Sequence, residues 1–559
     1  MRVARLVPCL LMAAAVVALA PGSGLGQQML TFNEVVEPQS LSPINSQYDV
    51  EARFADLFFD KLIGYNEFMK PEPQLLESLD PVEVSEDKMR HTFKLRQEAM
   101  WHALRQGNQE LMPATELTAE DVVFTYNIIR DDRTETDKRQ VVDIFQDVVA
   151  LDKYRVQFVL TQPMSDIRNF LFFQVIPKHI FGAEAPAYLT TLDDFGTNKV
   201  VGTGPYRFAV WRQNKGIAML RNAGYYKGWP ELFEEGATHI DRMQMRIQKD
   251  ENASKENLLA AGSQLLPLVN PVHYSELRNN PSIRVQNYNP RTVMFFAYNN
   301  ERPPLNRIKV RQALTHAVDR KRMLDQIYGA SVAQDAKINI LSGPYPGQEG
   351  NPDLMPLEYD MERAKQLLDE AGCTVENGKV YFTDGGAKQP LLLNLRVAET
   401  QEDKRRICEY FQDDLRKIGV EIKMEFMPRA NWRKEVAEKR QYDVTLVHYS
   451  FSPTADIVEE LFAKAATVKG RNNITMYTNL RVEQLLEANR TTDDPEMKTK
   501  NNHQLHFILW KDCPATFLFS TPNYAAYRID RLGGVEIHPF DFFAFITNWY
   551  FLPTEFGDF

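Results

Sequence analysis

Histidine and cysteine side chains are the first candidates for catalysis or metal binding in this sequence of 559 residues. His503 and His506 have the i, i+3 spacing of one helix face, but no third ligand or carboxylate pattern accompanies them. We therefore expect a solvated helix face at this pair, and no metal site. Cys373, Cys408 and Cys513 are isolated thiols that allow at most one disulfide, and the sequence does not decide its partners.

Motifs of hydrolytic enzymes are missing as well. The sequence contains no nucleophile elbow, no HExxH motif and no local context of a catalytic triad. A secreted hydrolase is therefore only a minor alternative. We predict a protein that is not an enzyme, has no catalytic residues and carries no cofactor.

The stretch Gly202-Thr203-Gly204-Pro205 suggests a phosphate-binding loop, because glycine is free to adopt positive φ. Such a loop needs a helix directly after it, with the first amides of that helix aimed at the anion. Pro205 and a strand-like alternation over residues 206–211 follow instead. We interpret the stretch as a turn that carries the chain from one domain into another.

The elements that would position a site alternate between helix and strand. A long helix is predicted over 310–328, because its apolar residues share one face and Gly329 provides a stop. Helices over 361–371 and 403–418 also end at glycines, and strands follow both. Residues 443–447 form one more buried strand. This alternation predicts an α/β fold.

Length and composition restrict the class of protein. A chain of 559 residues is too long for a single core, and 44% hydrophobic with 25% charged residues is typical of soluble globular proteins. The formal net charge is −10 and no block of lysines and arginines occurs. Neither nucleic acid nor an anionic membrane surface is therefore expected as the main partner.

The N-terminal residues predict export. Arg2 and Arg5 precede an apolar run over 6–20, and small residues follow as far as Gly26. This order predicts a signal peptide, residues 1–26, that is cleaved after Gly26. Cys9 lies at the start of the apolar run instead of after small residues, so we expect no lipid attachment. The run is short for a bilayer span, and no second run of about 18 apolar residues occurs.

Six stretches, taken in order, resemble the extracellular solute-binding proteins of family 5, which serve ABC importers of peptides and nickel. The stretches are 57–62, 93–96 with Trp101, 117–122, 202–208, 310–320 and 359–368. The resemblance covers essentially all of residues 30–530. It implies an α/β, two-lobed periplasmic-binding-protein-like fold (type II, cluster C) with an extra domain inserted in the first lobe.

The resemblance also implies a division of the chain into domains. Lobe I would take residues 27–62, 200–290 and 515–559, the extra domain 63–199, and lobe II 291–514. Gly202, Gly204 and Pro205 would then return the chain from the extra domain to lobe I, close to the hinge.

In this family the ligand is enclosed between lobes that hinge shut. The resemblance implies a ligand site formed by Tyr48, Trp432, His448, Tyr449, Ser452 and Asp456. In peptide-binding members, the aspartate of a Trp-x-x-Asp motif pairs with the α-ammonium of the peptide. Tyr449 and Ser452 occupy those two positions, and a hydroxyl cannot neutralise an ammonium. Three possibilities stay open: Asp456 takes over, the ligand is blocked at its amine, or the ligand is not a peptide.

The function implied by the resemblance is that of a periplasmic receptor. It would be a monomer that delivers an oligopeptide or peptide-like solute to the transmembrane subunits of an ABC permease. A metal-chelate or haem receptor is the alternative, because in the nickel-chelate branch a histidine near the position of His448 contacts metal. A lone histidine is more often structural, so we expect no metal bound by the protein alone.

Overall fold

The computed structural model describes residues 29–44, 49–107, 109–134, 136, 138–181, 194–398, 402–451, 456–468, 471–492 and 494–553. The predicted signal peptide lies outside these residues, and so do Tyr48 and Ser452 of the predicted ligand site. Within the described part of the chain, no helix combines the length and the apolar character needed to cross a membrane.

A seven-stranded sheet forms the base of the first lobe. In spatial order its strands are Tyr206–Arg212, Gly216–Arg221, Arg242–Ile247, Met29–Glu34, Leu265–Leu266, Asn523–Arg528 and Ile283–Tyr288. Met29–Glu34 lies between two parallel neighbours, and the helix Glu251–Leu259 makes the connection between them. A second helix, Asp49–Phe58, shares one apolar cluster with Leu30 and Phe32 of the sheet.

A six-stranded sheet forms the second lobe and is covered by helices on both faces. Its strands, in spatial order, are Asn339–Ile340, Ala515–Ser520, Thr292–Tyr298, Val444–Ser450, Leu392–Ala398 and Glu421–Met427. One face packs on the helices Ile308–His316, Arg320–Ile327, Met361–Glu370 and Glu402–Arg416. The other face packs on Ile457–Phe462, Leu480–Thr491 and Pro495–Asp512. The strands Thr292–Tyr298 and Ala515–Ser520 are mostly apolar on both faces because both faces are buried, whereas Glu421–Met427, at the edge of the sheet, alternates between apolar and charged residues.

The chain crosses between the two sheets twice. Residues 289–291 connect Ile283–Tyr288 with Thr292–Tyr298, and residues 521–522 connect Ala515–Ser520 with Asn523–Arg528. Because Ala515–Ser520 pairs with Thr292–Tyr298, it belongs to the six-stranded sheet. The second crossing therefore lies after residue 520 and not at 515, where we expected it. We propose these two crossings as the hinge.

The proposed extra domain contains a four-stranded sheet, with strands Phe145–Ala150, Arg155–Leu160, Arg90–Lys94 and Glu83–Val84. The helix Ala119–Arg130 packs on it. Its apolar side chains belong to the same cluster as those of the first lobe. The remaining described strands are short: Ile63–Tyr65, Pro71–Pro73, Met100–Trp101, Leu104–Gln106, Gln109–Met112, Thr115–Glu116, Thr238–His239, Thr374–Glu376, Lys379–Asp384, Ala387–Pro390, Leu532–Gly533 and Tyr550–Phe551. Short helices complete the fold: Arg139–Val142, Lys178–Phe181, Tyr274–Arg278, Ala330–Asp335 and Arg429–Trp432.

The helix predicted over 310–328 is two helices, Ile308–His316 and Arg320–Ile327. Asp319 starts the second one, because its side chain accepts a hydrogen bond of 2.9 Å from the amide of Arg322. The apolar periodicity continues through the break, so periodicity alone could not reveal it.

The pair His503 and His506 is not a solvated face at both positions. His506 is only 2% exposed, and its Nδ1 accepts a 2.9 Å hydrogen bond from the amide of Asn351. Its Nε2 lies 3.1 Å from the hydroxyl of Ser342. His506 therefore fixes the loop between these two residues. The three cysteines predicted to form at most one bridge are all buried and free.

Candidate functional site

His448 and Tyr449 lie in the strand Val444–Ser450, which continues three residues beyond the strand predicted over 443–447. This strand pairs antiparallel with Thr292–Tyr298, with His448 opposite Met294 and Tyr449 opposite Val293. Consecutive strand residues point to opposite faces of a sheet. The two side chains therefore lie on different faces of this sheet, and their joint contact with one ligand stays a prediction.

Tyr449 and Trp432 share one face of the six-stranded sheet. The Tyr449 ring is 6.2 Å from the ring of Phe295 and 6.1 Å from that of Phe451, and burial raises the pKa of its hydroxyl. The Trp432 indole donates a 3.0 Å hydrogen bond to the hydroxyl of Thr445, which lies on the same face as Tyr449. Both rings are half-buried and pack against the same apolar cluster. They form an aromatic wall next to the first crossing.

The position of Trp432 depends on an unusual backbone. Trp432 ends the short helix Arg429–Trp432, and a π-helical turn, Arg433–Glu438, follows directly. Such turns are rare and are frequently found at functional sites. The sequence showed the tryptophan but gave no sign of the turn.

Asp456 starts the helix Ile457–Phe462. Its Oδ1 accepts hydrogen bonds from the amides of Val458 and Glu459, each 3.0 Å long. Burial raises the pKa of the carboxyl group, and the nearby negative charge of Glu349 raises it further, whereas Arg291 lowers it. Asp456 therefore has a structural role as the N-cap of this helix, through Oδ1.

Arg291, Glu349 and Tyr345 complete a polar cluster around Asp456. Arg291 lies in the first crossing, and its Nη2 is 2.8 Å from Oε1 of Glu349. The Oε2 atom of Glu349 and the hydroxyl of Tyr345 are buried and have no hydrogen-bond partner among the described residues. Burial, with the charges of Asp456 and Glu349 adding to it, raises the pKa of Tyr345. Sequence reasoning missed these three residues. Arg291, a cation between two predicted strands, was the one sign in the sequence of a polar site here.

His448 faces the hinge. Its Nε2 lies 3.1 Å from the hydroxyl of Thr521, in the second crossing. Burial lowers the pKa of the imidazole to about 3, and the positive charge of Lys404 contributes in the same direction. The ring is therefore neutral at physiological pH. The described part of the chain contains no group of three or more His, Cys, Asp or Glu side chains that could hold a metal ion.

Gly202, Gly204 and Pro205 lie in the turn just before the strand Tyr206–Arg212, and their position close to the hinge stays a prediction. The turn contacts the end of the helix Asp49–Phe58, where the amide of Gly204 donates a 2.9 Å hydrogen bond to the carbonyl of Phe58. His102 binds the turn from the proposed extra domain, with its amide 2.8 Å from the carbonyl of Gly202. Neither glycine has positive φ. Glycine is needed because a Cβ at Gly202 would be 1.7 Å from the carbonyl oxygen of Phe58.

Comparison with known proteins agrees with this architecture. The model of the bacterial extracellular solute-binding proteins, family 5 (middle), matches residues 70–458. The oligopeptide-binding protein AppA of Bacillus subtilis is 24% identical over 528 residues, which are 93% of this chain and 91% of AppA.

Two solved structures show the same fold. The structure of Bacillus subtilis AppA in complex with a nonapeptide has a TM-score of 0.80 at 22% identity, and covers 94% of this chain and 99% of AppA. NikZ from Campylobacter jejuni, in complex with Ni(L-His), has a TM-score of 0.75 at 19% identity, and covers 94% of this chain and 100% of NikZ. The fold is therefore the two-lobed α/β fold that the sequence predicted.

Proposed function

The chain belongs to the bacterial extracellular solute-binding proteins of family 5, and we propose that it captures a peptide or peptide-like solute between its two lobes. Proteins of this family are extracellular or periplasmic receptors that work with ABC permeases. The observation that supports a peptide is the polar cluster of Asp456, Glu349 and Tyr345, in which Glu349 and Tyr345 have buried oxygen atoms without a partner among the described residues, beside the aromatic wall of Trp432 and Tyr449.

The polar cluster around Asp456 supports one of the three possibilities that Ser452 left open, namely that Asp456 takes over. Asp456 uses Oδ1 as a helix cap, Glu349 uses Oε1 for Arg291, and Oε2 of Glu349 has no partner among the described residues. Two carboxylates facing one guanidinium provide the negative charge that a buried ammonium needs. We propose that Asp456, together with Glu349, binds the α-ammonium of the peptide in place of the missing aspartate.

Two substitutions remove a negative charge from the site and preserve the structural role of the side chain. Asp456→Asn keeps a side-chain oxygen for the helix cap, since asparagine is as good an N-cap as aspartate. Glu349→Gln keeps the shape of the side chain. A charge-assisted hydrogen bond contributes about 1.5–3 kcal/mol, so we expect each variant to bind free peptides at least about tenfold more weakly.

Calorimetry with a panel of di- to nonapeptides, each free and N-acetylated, measures this effect. N-acetylated peptides should bind wild type and variants with similar affinity, and the exposed control Glu67→Gln should match wild type. Unchanged affinity of both variants for free peptides would show that the ammonium lies elsewhere.

A metal chelate or haem is the second candidate ligand, and the fold shared with NikZ favours keeping it. Because Nε2 of His448 contacts the hydroxyl of Thr521, Nδ1 is the nitrogen that would bind metal. Mass spectrometry of the solute that co-purifies with the protein distinguishes a peptide from a nickel chelate or haem.

We also propose that the mature chain is a periplasmic, monomeric receptor without catalytic activity, exported by the signal peptide 1–26. The intact mass of periplasmic protein should correspond to residues 27–559 without lipid. A mass that includes residues 1–26, or a diacylglyceryl group, would contradict this.

A further inference from the structure

A polar groove of about 580 Å³ lies on the seven-stranded sheet, beside the helix Glu251–Leu259. We call it the Asn33 groove, and its polar lining consists of Asn33, Lys215, Gln244, Arg246, Gln248 and Asn257. None of these residues belongs to the site around Tyr449 and Asp456.

Small residues create the space of the Asn33 groove. In the antiparallel strand pair, Gly216 lies opposite Arg246 and Ala218 lies opposite Gln244. Residues that lie opposite each other point to the same face, so Gly216 and Ala218 leave room beside the long side chains of Arg246 and Gln244. The facing helix contributes the small side chain of Ala253. Long polar side chains therefore border an unfilled surface.

Asn33 is the buried residue among the polar side chains that line the groove. It pairs in register with Arg246 in the neighbouring parallel strand and is only 4% exposed. Both its amide nitrogen and its amide oxygen are buried without a hydrogen-bond partner among the described residues. An unpaired buried amide costs stability, and buried polar groups are otherwise almost always paired. An amide that lines a cavity in this state is placed to bind a molecule that enters the cavity.

The charge of the groove identifies the kind of molecule. Lys215 and Arg246 are exposed cations, and the lining contains no carboxylate. Arg246 makes one long hydrogen bond, 3.4 Å, to the carbonyl of Gly262. Asp250, the next acidic residue along the chain, already accepts hydrogen bonds from Asn252 and Ala253 as a helix cap. Cations beside amides, which both donate and accept, suit a carboxylate that also carries hydroxyl groups.

We propose that the Asn33 groove is a second binding site, separate from the peptide site, for a small hydroxylated carboxylate. The carboxylate pairs with Arg246 and Lys215, and the hydroxyl groups bind the amides of Asn33 and Gln244. This proposal does not depend on the peptide function.

Calorimetry of the mature chain with citrate at low ionic strength tests the site. We expect saturable binding that weakens at least fivefold in Arg246→Gln and in Lys215→Gln, and that weakens as salt is added. Glycerol, which has hydroxyl groups but no charge, should bind at least tenfold more weakly. The matched control Lys249→Gln removes an exposed cation outside the groove and should bind citrate as wild type does. Absence of citrate binding, or equal binding by Arg246→Gln and wild type, overturns the proposal.

A second variant separates a ligand role of Asn33 from a structural one. Asn33→Leu has a similar size and removes the unpaired amide, so its melting temperature should equal or exceed that of wild type while citrate binding falls at least tenfold. A lower melting temperature would show that the amide stabilises the fold, and would overturn the proposal. Tyr449→Ala should bind citrate normally; a loss there would place citrate in the peptide site and would also overturn it.

Discussion

The turn at Gly202 provides the sharpest test of the structure, because a single methyl group should disrupt it. In Gly202→Ala the new Cβ would be 1.7 Å from the carbonyl oxygen of Phe58 and 2.6 Å from its carbonyl carbon. Both atoms are backbone, at the end of the helix Asp49–Phe58, so no side chain can rotate away to relieve the contact. The turn or the helix end has to move.

The size of the effect follows from two costs. The Cβ has to retreat by more than about 1 Å, and overpacking of this kind costs about 1–3 kcal/mol. The same displacement stretches the 2.9 Å hydrogen bond from the amide of Gly204 to the carbonyl of Phe58. A buried amide left unpaired costs about 1–3 kcal/mol. We expect Gly202→Ala to lower the free energy of unfolding by about 2–6 kcal/mol.

Urea unfolding followed by tryptophan fluorescence measures this loss. Gly224→Ala is the matched control, because the nearest heavy atom to its added Cβ is the side-chain oxygen of Asn222 at 3.8 Å. The control should change stability by less than about 0.5 kcal/mol. If Gly202→Ala is as stable as Gly224→Ala, the close approach of the turn to the helix end does not exist.

Three further predictions concern pH, the contact between lobes and the ligand. Burial lowers the pKa of His102 to about 4. Between pH 6.5 and pH 4 this histidine is therefore protonated in the unfolded state and neutral in the folded state. The contribution of His102 to stability is therefore fully present above pH 6.5, and up to about 3 kcal/mol of it is lost towards pH 4. In urea titrations His102→Gln should remove this part of the pH dependence, while His448 and His506, whose pKa values burial also lowers, keep theirs. Arg471 and Asp143 form a 2.8 Å ion pair between the second lobe and the extra domain. Because the pair is partly exposed, Asp143→Lys should weaken ligand binding no more than about fivefold, and exchanging the two charges should restore it. Trp432→Ala and Tyr449→Ala should each lose at least about 1 kcal/mol of binding free energy in calorimetry, through lost aromatic burial.

Local signals in the sequence predicted much of the fold. Thr118 and Asp121 have the spacing of a capping box, and the amide of Thr118 does donate a 2.9 Å hydrogen bond to the carboxylate of Asp121. Gly372 and Gly419 end their helices with φ of 79° and 83°, as the predicted stops require. These features depend on residues a few positions apart, which a sequence displays directly.

Contacts between distant parts of the chain could not be predicted in the same way. The polar cluster contains Arg291, Glu349 and Asp456, which are far apart along the chain, so the sequence does not show that they are close in space. Gly202 was interpreted through its freedom in φ, but its actual constraint is the carbonyl of Phe58. The length of the strand Val444–Ser450 depends on its partner Thr292–Tyr298, and so does the face on which each of its side chains lies.

That pairing also connects the proposed ligand site to the proposed hinge. Tyr449 lies opposite Val293, one residue after Thr292, where the first crossing enters the sheet. The hydroxyl of Thr292 donates a 2.8 Å hydrogen bond to the carbonyl of Thr521 and accepts one of 3.0 Å from its amide, so it joins the two crossings. Pro290 and Pro522 restrict φ within these same segments. Rotation of the lobes therefore has to occur at a few bonds that move together. A solute held against Tyr449 closes this hinge to the extent that it binds the closed arrangement more tightly than the open one.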